Sequence, residues 1–402
     1  MILATLVLVS HTLKLHGGSD PLGRLTGGEV DLGTVAVDGF FALSGYLIVG
    51  SYLNSSTTGR YLWRRALRIL PGFWVCLLVT TFVLLPLAQL LEFGTLDGFP
   101  LTGDRSALSY LTSNAALFIR QFEVEGLFGG GTVNGSLYTL FYEFLCYLGV
   151  AALGVVGLLR TRTWPLIAFT TAMWLLVVVE VVSGAAMTSR SSTIDIALRF
   201  GLMFLAGAAL HRLARHVPLG WAGGTIAALV LLQATVLAIL VGPDPLSKLV
   251  YLSIAPLAVA YLVLLAGASP RLHRIGARRD LSYGLYVYAW PVQALLLLLG
   301  ARDWPVILYG VTSLTVALLL AWASWAWIES PALHFKSWTP KALTQPSELD
   351  AERTEQIDID HGEEHLPASG PEDAAHGRTI HRPEGGAVRH DPQPAGVAHR
   401  RS

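Results

Sequence analysis

A few side chains that sit badly in hydrocarbon recur along an otherwise apolar chain, and their types suggest chemistry. His11 closes the run of apolar and small residues from 2 to 10. Neutral imidazole is the side chain best matched to proton abstraction near neutral pH, so His11 reads as a general base or, equally, as a histidine hydrogen-bonded inside a bundle. Glu143 lies within Ser136-Leu-Tyr-Thr-Leu-Phe-Tyr-Glu-Phe-Leu-Cys-Tyr147, flanked at helical spacing by Thr139 and Tyr147. A carboxylate there needs a partner, and it serves either as a polar anchor or in a reaction. Arg65 and Arg68, in Arg64-Arg65-Ala-Leu-Arg68-Ile-Leu-Pro71, are three residues apart and share a helix face. That face suits a forked clamp on phosphate, and the same cluster suits a topology signal.

Asp38 opens Val37-Asp-Gly-Phe-Phe-Ala-Leu-Ser-Gly-Tyr46, where Gly39, Ser44 and Gly45 admit a second helix or a ligand close to the backbone. Asp195 and Arg199, at i and i+4, are expected to neutralise each other, and Glu180 to lie at an interface. Asp280-Leu-Ser-Tyr-Gly-Leu-Tyr-Val-Tyr-Ala-Trp-Pro291 supplies an N-cap and then a proline, which predicts a kink or opening of the kind that lines cavities.

The elements that must position these groups are membrane helices. Of the 402 residues 53% are hydrophobic and 14% charged, against about 25% charged in a soluble protein, and 28 basic residues balance 28 acidic ones. That balance excludes an electrostatic nucleic-acid binder and a wholly disordered chain. Apolar runs near 34–53, 71–91, 137–159, 164–185, 194–210, 219–241, 249–267, 282–299 and 305–328 are long enough to cross a bilayer. Residues 1–15 make a tenth, incomplete span of about 22 Å. The fold class expected is therefore all-α, a polytopic bundle of about ten spans.

Short loops rich in Lys and Arg stay in the cytoplasm. Arg60, Arg64, Arg65 and Arg68 precede the third span; Arg160 and Arg162 follow the fourth, Arg212 and Arg215 the sixth, and Arg271, Arg274, Arg278 and Arg279 the eighth. Both termini are then cytoplasmic. The segment 92–136 carries an apolar piece at 106–119 too short to span, which predicts an interfacial or re-entrant helix. From 336 to 402 the composition turns polar: 19 of the 56 charged residues lie beyond 336. This reads as a disordered cytoplasmic tail after a membrane domain 1–335. Its six histidines match no metal-site spacing, and no metal is expected. Cys76 and Cys146 sit in apolar runs as small buried hydrophobes.

Taken in order, six segments resemble the acyltransferase-3 family of membrane O-acyltransferases. They are His11; residues 38–46; Arg65-Ala-Leu-Arg68 with Pro71; Gly135-Ser-Leu-Tyr-Thr-Leu-Phe-Tyr-Glu143; Ser282-Tyr-Gly-Leu-Tyr286; and Glu329-Ser-Pro331. The resemblance spans residues 1–335 and leaves out the tail. It implies transfer of an acyl group, usually acetyl, from acetyl-CoA to a hydroxyl of a carbohydrate or other hydroxylated acceptor, in a multi-pass protein of the bacterial cytoplasmic membrane. It also implies His11 and Glu143 as catalytic groups and Arg65 and Arg68 as ligands of coenzyme A. Asp38, Ser44 and Tyr142 fall within these motifs as candidate substrate-binding groups. The expected partners are the coenzyme A thioester, the acceptor and the lipid bilayer, with no nucleic acid and no second extracytoplasmic domain. The family pairs its histidine with an arginine eleven residues earlier, one position before Met1 here, which together with the short first span suggests a start further upstream.

Two other classes compete. A transporter or flippase of a glycan or metabolite predicts inverted repeats and a midplane site, neither of which the sequence carries. A non-catalytic scaffold gives no reason for His11 to accompany the arginine pair. Within the enzyme class, the acceptor reads first as an envelope glycan and second as a glycosylated or macrolide-type metabolite.

Overall fold

A backbone in hydrocarbon must satisfy its own hydrogen bonds, and the described residues of each of the ten apolar runs are mainly helical. The computed structural model describes residues 1–18, 20–26, 30–161, 163–182, 193–241, 245–270 and 279–338. The tail with its six histidines, the basic residues 271–278, Arg162 and the side chains of Arg160 and Glu180 lie outside the described residues. Among those described there is no strand. The helices are α1 (Ile2–Leu15), α2 (Pro21–Leu25), α3 (Leu32–Leu53), α4 (Thr58–Val79), α5 (Leu85–Phe93), α6 (Ala107–Asn114), α7 (Tyr138–Val155) and α8 (Leu158–Thr161). They continue with α9 (Trp164–Val182), α10 (Thr193–Leu213), α11 (Trp221–Val241), α12 (Pro245–Ala268), α13 (Ser282–Leu298), α14 (Val306–Ser324) and α15 (Ser330–His334).

Seven segments are long and apolar enough to cross a membrane: Leu32–Leu53, Thr58–Phe93, Tyr138–Val155, Thr193–Leu213, Trp221–Val241, Leu249–Ala268 and Val306–His334. The other three expected spans are helices too, α1 of 14 residues, α9, and α13 of 17. Large apolar side chains such as Leu47, Ile226, Leu240, Ile307 and Leu319 are exposed, as a lipid-facing surface requires. The apolar piece near 106–119 forms the short helix α6, capped by the Ser106 hydroxyl, which accepts from the Ser109 amide at 3.1 Å.

Two helices contain a π turn, Thr80–Leu84 before Pro86 and Trp325–Glu329 before Pro331. Proline has no N–H to close the ordinary turn, and a wider turn absorbs the missing bond. Pro291 is handled differently, because α13 runs through it unbroken. The Val287 carbonyl, four residues earlier, instead accepts from Asn134 Nδ2 at 2.9 Å and from the Cys76 thiol at 3.6 Å.

Close packing of α3 on α10 sets the register of the centre. A Cβ at Gly45 would lie 1.9 Å from the Phe204 carbonyl oxygen, and one at Gly207 would lie 1.8 Å from that of Ala42. Only glycine allows backbones this near, the device that replaces the hydrophobic effect between membrane helices. Helix α1 is tied in by Gln293, whose Nε2 donates to the Leu8 carbonyl at 3.0 Å and to Thr12 Oγ1 at 2.8 Å.

Candidate active site

Two chambers open inside the bundle, the first walled mainly by apolar side chains with a few charged ones and the second mainly polar. The first, about 220 Å³, is lined by Arg65, Arg68, Glu143, Ser44, Tyr147 and Ser282 among others. Helix α4 supplies the arginines, two to three turns in, from one face as their spacing predicts. Arg68 forms an ion pair with Asp280 just ahead of α13, and Asp280 also accepts from the Ser282 amide at 3.2 Å. Partial burial alone would raise the Asp280 carboxyl, but the Arg68 charge and the Ser282 hydrogen bonds outweigh it and hold it below the usual carboxylate value. Arg65 Nε is buried with no hydrogen-bond partner. On α7, Tyr147 donates its hydroxyl to Glu143 Oε1. Thr139, the other flanking residue, turns instead to the Tyr286 hydroxyl at 2.7 Å.

The second chamber, about 250 Å³, is lined by His11, Lys14, Asp31, Tyr138, Asp195 and Arg199 among others. His11 packs edge-on against Trp290, ring centroids 4.7 Å apart, and its Nδ1 is buried without a hydrogen-bond partner. Trp290 is itself fixed, donating Nε1–H to the Thr132 carbonyl at 3.0 Å. Lys14 pairs with Asp31 at 2.7 Å. Burial pushes the Asp31 carboxyl up, and hydrogen bonds from Lys14 and from the Thr34 amide more than reverse this, leaving it below its ordinary value.

Arg199 reaches across to α3 and grips Asp38 with two bonds, Nε to Oδ1 at 3.0 Å and a terminal nitrogen to Oδ2 at 2.7 Å. Its guanidinium also lies over the Tyr251 ring, 5.6 Å from the centroid. Arg199 is thus bonded across helices to Asp38, a partner that depends on the α3–α10 crossing and has no signature in the i, i+4 spacing of Asp195 and Arg199 within one helix.

The chambers sort the sequence-derived residues. Arg65, Arg68, Glu143 and Ser44 line the first, and His11 the second. Glu143 and His11 therefore line different chambers. Asp38, fully buried, bears on the second chamber through Arg199. Tyr142 lines neither; its hydroxyl donates to the Thr193 carbonyl at 3.4 Å. Lys14, in the last turn of α1, is part of the second chamber and drew no notice from the sequence. Glu329, named above only within the segment Glu329-Ser-Pro331, is buried, with Oε1 accepting from Ser324 at 3.1 Å. Its place in a π turn before Pro331 is the signal that could have marked it. Val37 and Tyr286 line both chambers.

Comparison with known proteins identifies the family. The acyltransferase domain of the acyltransferase-3 type matches residues 1–326. Nodulation protein 10 of Rhizobium leguminosarum bv. viciae is 27% identical over 362 residues, covering 82% of this chain and 90% of the relative. The O-acetyl transferase of Shigella phage Sf6 is 27% identical over 334 residues, covering 82% of this chain and 92% of the relative. No solved structure matches. The chain belongs to the acyltransferase-3 family and is a multi-pass membrane O-acyltransferase.

Proposed function

We propose that the acyl donor is acetyl-CoA or another short acyl thioester, and that the acceptor is a hydroxyl of a carbohydrate or other envelope or secreted molecule. The chain acts in the bacterial cytoplasmic membrane, with residues 1–335 as the catalytic domain and the tail as a cytoplasmic extension. One observation carries the reading: a chamber holding Arg65 and Arg68 meets a chamber holding His11 at a shared wall of two side chains. The name of the phage relative supports acetyl as the group moved.

The chemistry follows from what ester formation needs. Arg65, with its buried Nε still lacking a partner, and Arg68 hold the phosphates of the donor from the first chamber. Glu143, braced by Tyr147, balances their charge in the same chamber. From the second chamber His11 takes the proton of the acceptor hydroxyl as that oxygen attacks the thioester carbon. The carbon–sulfur bond breaks, and the imidazolium returns the proton to the departing coenzyme A thiolate, so hydroxyl and thioester become ester and thiol. Arg199, pinned by Asp38, keeps positive charge beside the reacting carbonyl.

The test is a deletion strain complemented with the wild-type gene or with His11→Ala, followed by mass spectrometry of esters on envelope glycans and secreted metabolites. An acetyl-sized ester that vanishes on deletion, returns with wild type and stays absent with His11→Ala is expected. An ester restored in full by His11→Ala removes His11 from the chemistry. If no ester changes at all, the proposed acceptor class is wrong.

A further inference from the structure

We infer that Tyr286, with Val37 opposite, is the partition through which the thioester meets the acceptor and that this partition sets the length of acyl group transferred. The inference rests on the acyltransferase reading and assigns it a specificity-determining residue.

The placement is geometric. Helix α13 carries Ser282 in the wall of the first chamber, Tyr286 in the walls of both, and Trp290 against His11 beyond. These residues are four apart and so line one face, each about 6 Å further along the axis. The first chamber therefore leads along α13 toward His11, and Tyr286 stands midway.

The ring is held there rather than left to swing. Its hydroxyl shares a hydrogen bond with Thr139 Oγ1 at 2.7 Å, and its ring forms a T-shaped pair with Phe40, centroids 5.8 Å apart. Thr139 belongs to α7 and Phe40 to α3, so three helices fix one side chain. Val37 sits one turn ahead of Phe41 on α3 and is β-branched, hence stiff.

A rigid wall meters size. The reacting carbon has to lie where both chambers reach it, and any methylene beyond an acetyl methyl must find room beside an aromatic ring and a valine that do not yield. Inserting extra methylenes into a well-packed site is costly, and in enzyme pockets a single methylene changes selectivity by about tenfold or more.

The experiment uses the full chain in the same deletion strain, grown with butyrate to enlarge the butyryl-CoA pool. The strain is complemented with wild type, Tyr286→Phe, Tyr286→Ala or Val37→Ala. Esters are released by mild alkali, and butyrate and acetate are counted by mass; size-exclusion in detergent checks that each variant is folded. The wild type should deliver acetyl almost alone. Tyr286→Ala should raise the butyryl-to-acetyl ratio about tenfold or more, Val37→Ala should raise it less, and Tyr286→Phe, which keeps the ring and loses only the Thr139 latch, should raise it least of the three.

Unchanged ratios in both alanine variants overturn the proposal, as does loss of all ester from both while they remain folded. A wild type that moves butyryl as readily as acetyl also overturns it and leaves the acyltransferase reading standing. A wild type that adds no ester of any length strikes at the proposed donor and acceptor instead.

Discussion

At the scale of single residues, the sequence exposed the groups that hydrocarbon makes conspicuous and hid those whose meaning depends on a neighbour. His11, Glu143 and the two arginines stand out because an ionisable group in an apolar run is expensive. That Arg199 grips Asp38, and that Lys14 faces a chamber, depends on how α3 crosses α10 and how α1 packs on α3. Asp280 is the residue whose behaviour with pH is most directly checked. Its folded value is depressed below the ordinary 3.8 by Arg68 and Ser282, against the opposing effect of burial. A depressed carboxylate contributes stability that is present above the unfolded value and lost as pH falls through the folded one. With 44% of its side chain exposed, the pair is also screened by salt. Asp280→Asn in detergent should therefore melt below wild type at pH 7, and the difference should shrink at high salt and vanish below the acidic carboxylate range. A gap that stays constant from pH 7 into that range would show that the charge of Asp280 contributes nothing.

At the scale of elements, hydropathy located all ten helices, because satisfying a backbone in lipid leaves no other local solution. It did not locate the interruptions. Pro86 and Pro331 could each have bent, ended or widened a helix, and both coincide with a π turn. Pro291, read as a kink or opening, lies within an unbroken α13 because Asn134 and Cys76 take up the freed carbonyl. Those partners are 157 and 215 residues away in sequence, far beyond any local window. The glycines separate in the same way. A Cβ added at Gly207 would lie 1.8 Å from the Ala42 carbonyl oxygen, whereas one added at Gly149 on α7 meets nothing within 4 Å. Gly207→Ala should force α3 and α10 apart and destabilise by about 3 kcal/mol, while Gly149→Ala should gain roughly 0.5–1 kcal/mol through better helix propensity. Thermal unfolding of detergent-solubilised protein measures both, and equal effects of the two would contradict the glycine contact between α3 and α10.

At the scale of the whole membrane unit, the two chambers give the protein a direction, and the proposed chemistry works only if that direction matches the membrane. Coenzyme A thioesters are made in the cytoplasm, so the chamber of Arg65 and Arg68 has to open there and the chamber of His11 away from it. The distribution of basic residues argues the same orientation independently, since Arg60, Arg64 and Arg65 cluster at the end where α4 begins. Single cysteines report on this without disturbing the site, because the native Cys76 and Cys146 are free and both can be replaced by alanine. Ser56, exposed just before α4, and Asp104, exposed in the long segment ahead of α6, mark opposite sides of the expected topology. In intact cells a membrane-impermeant maleimide should label Asp104→Cys and spare Ser56→Cys, and permeabilised cells should label both. The reverse pattern would present the arginine chamber to the outside, where no acyl thioester is supplied. The donor would then have to be another molecule, however well the residues fit coenzyme A.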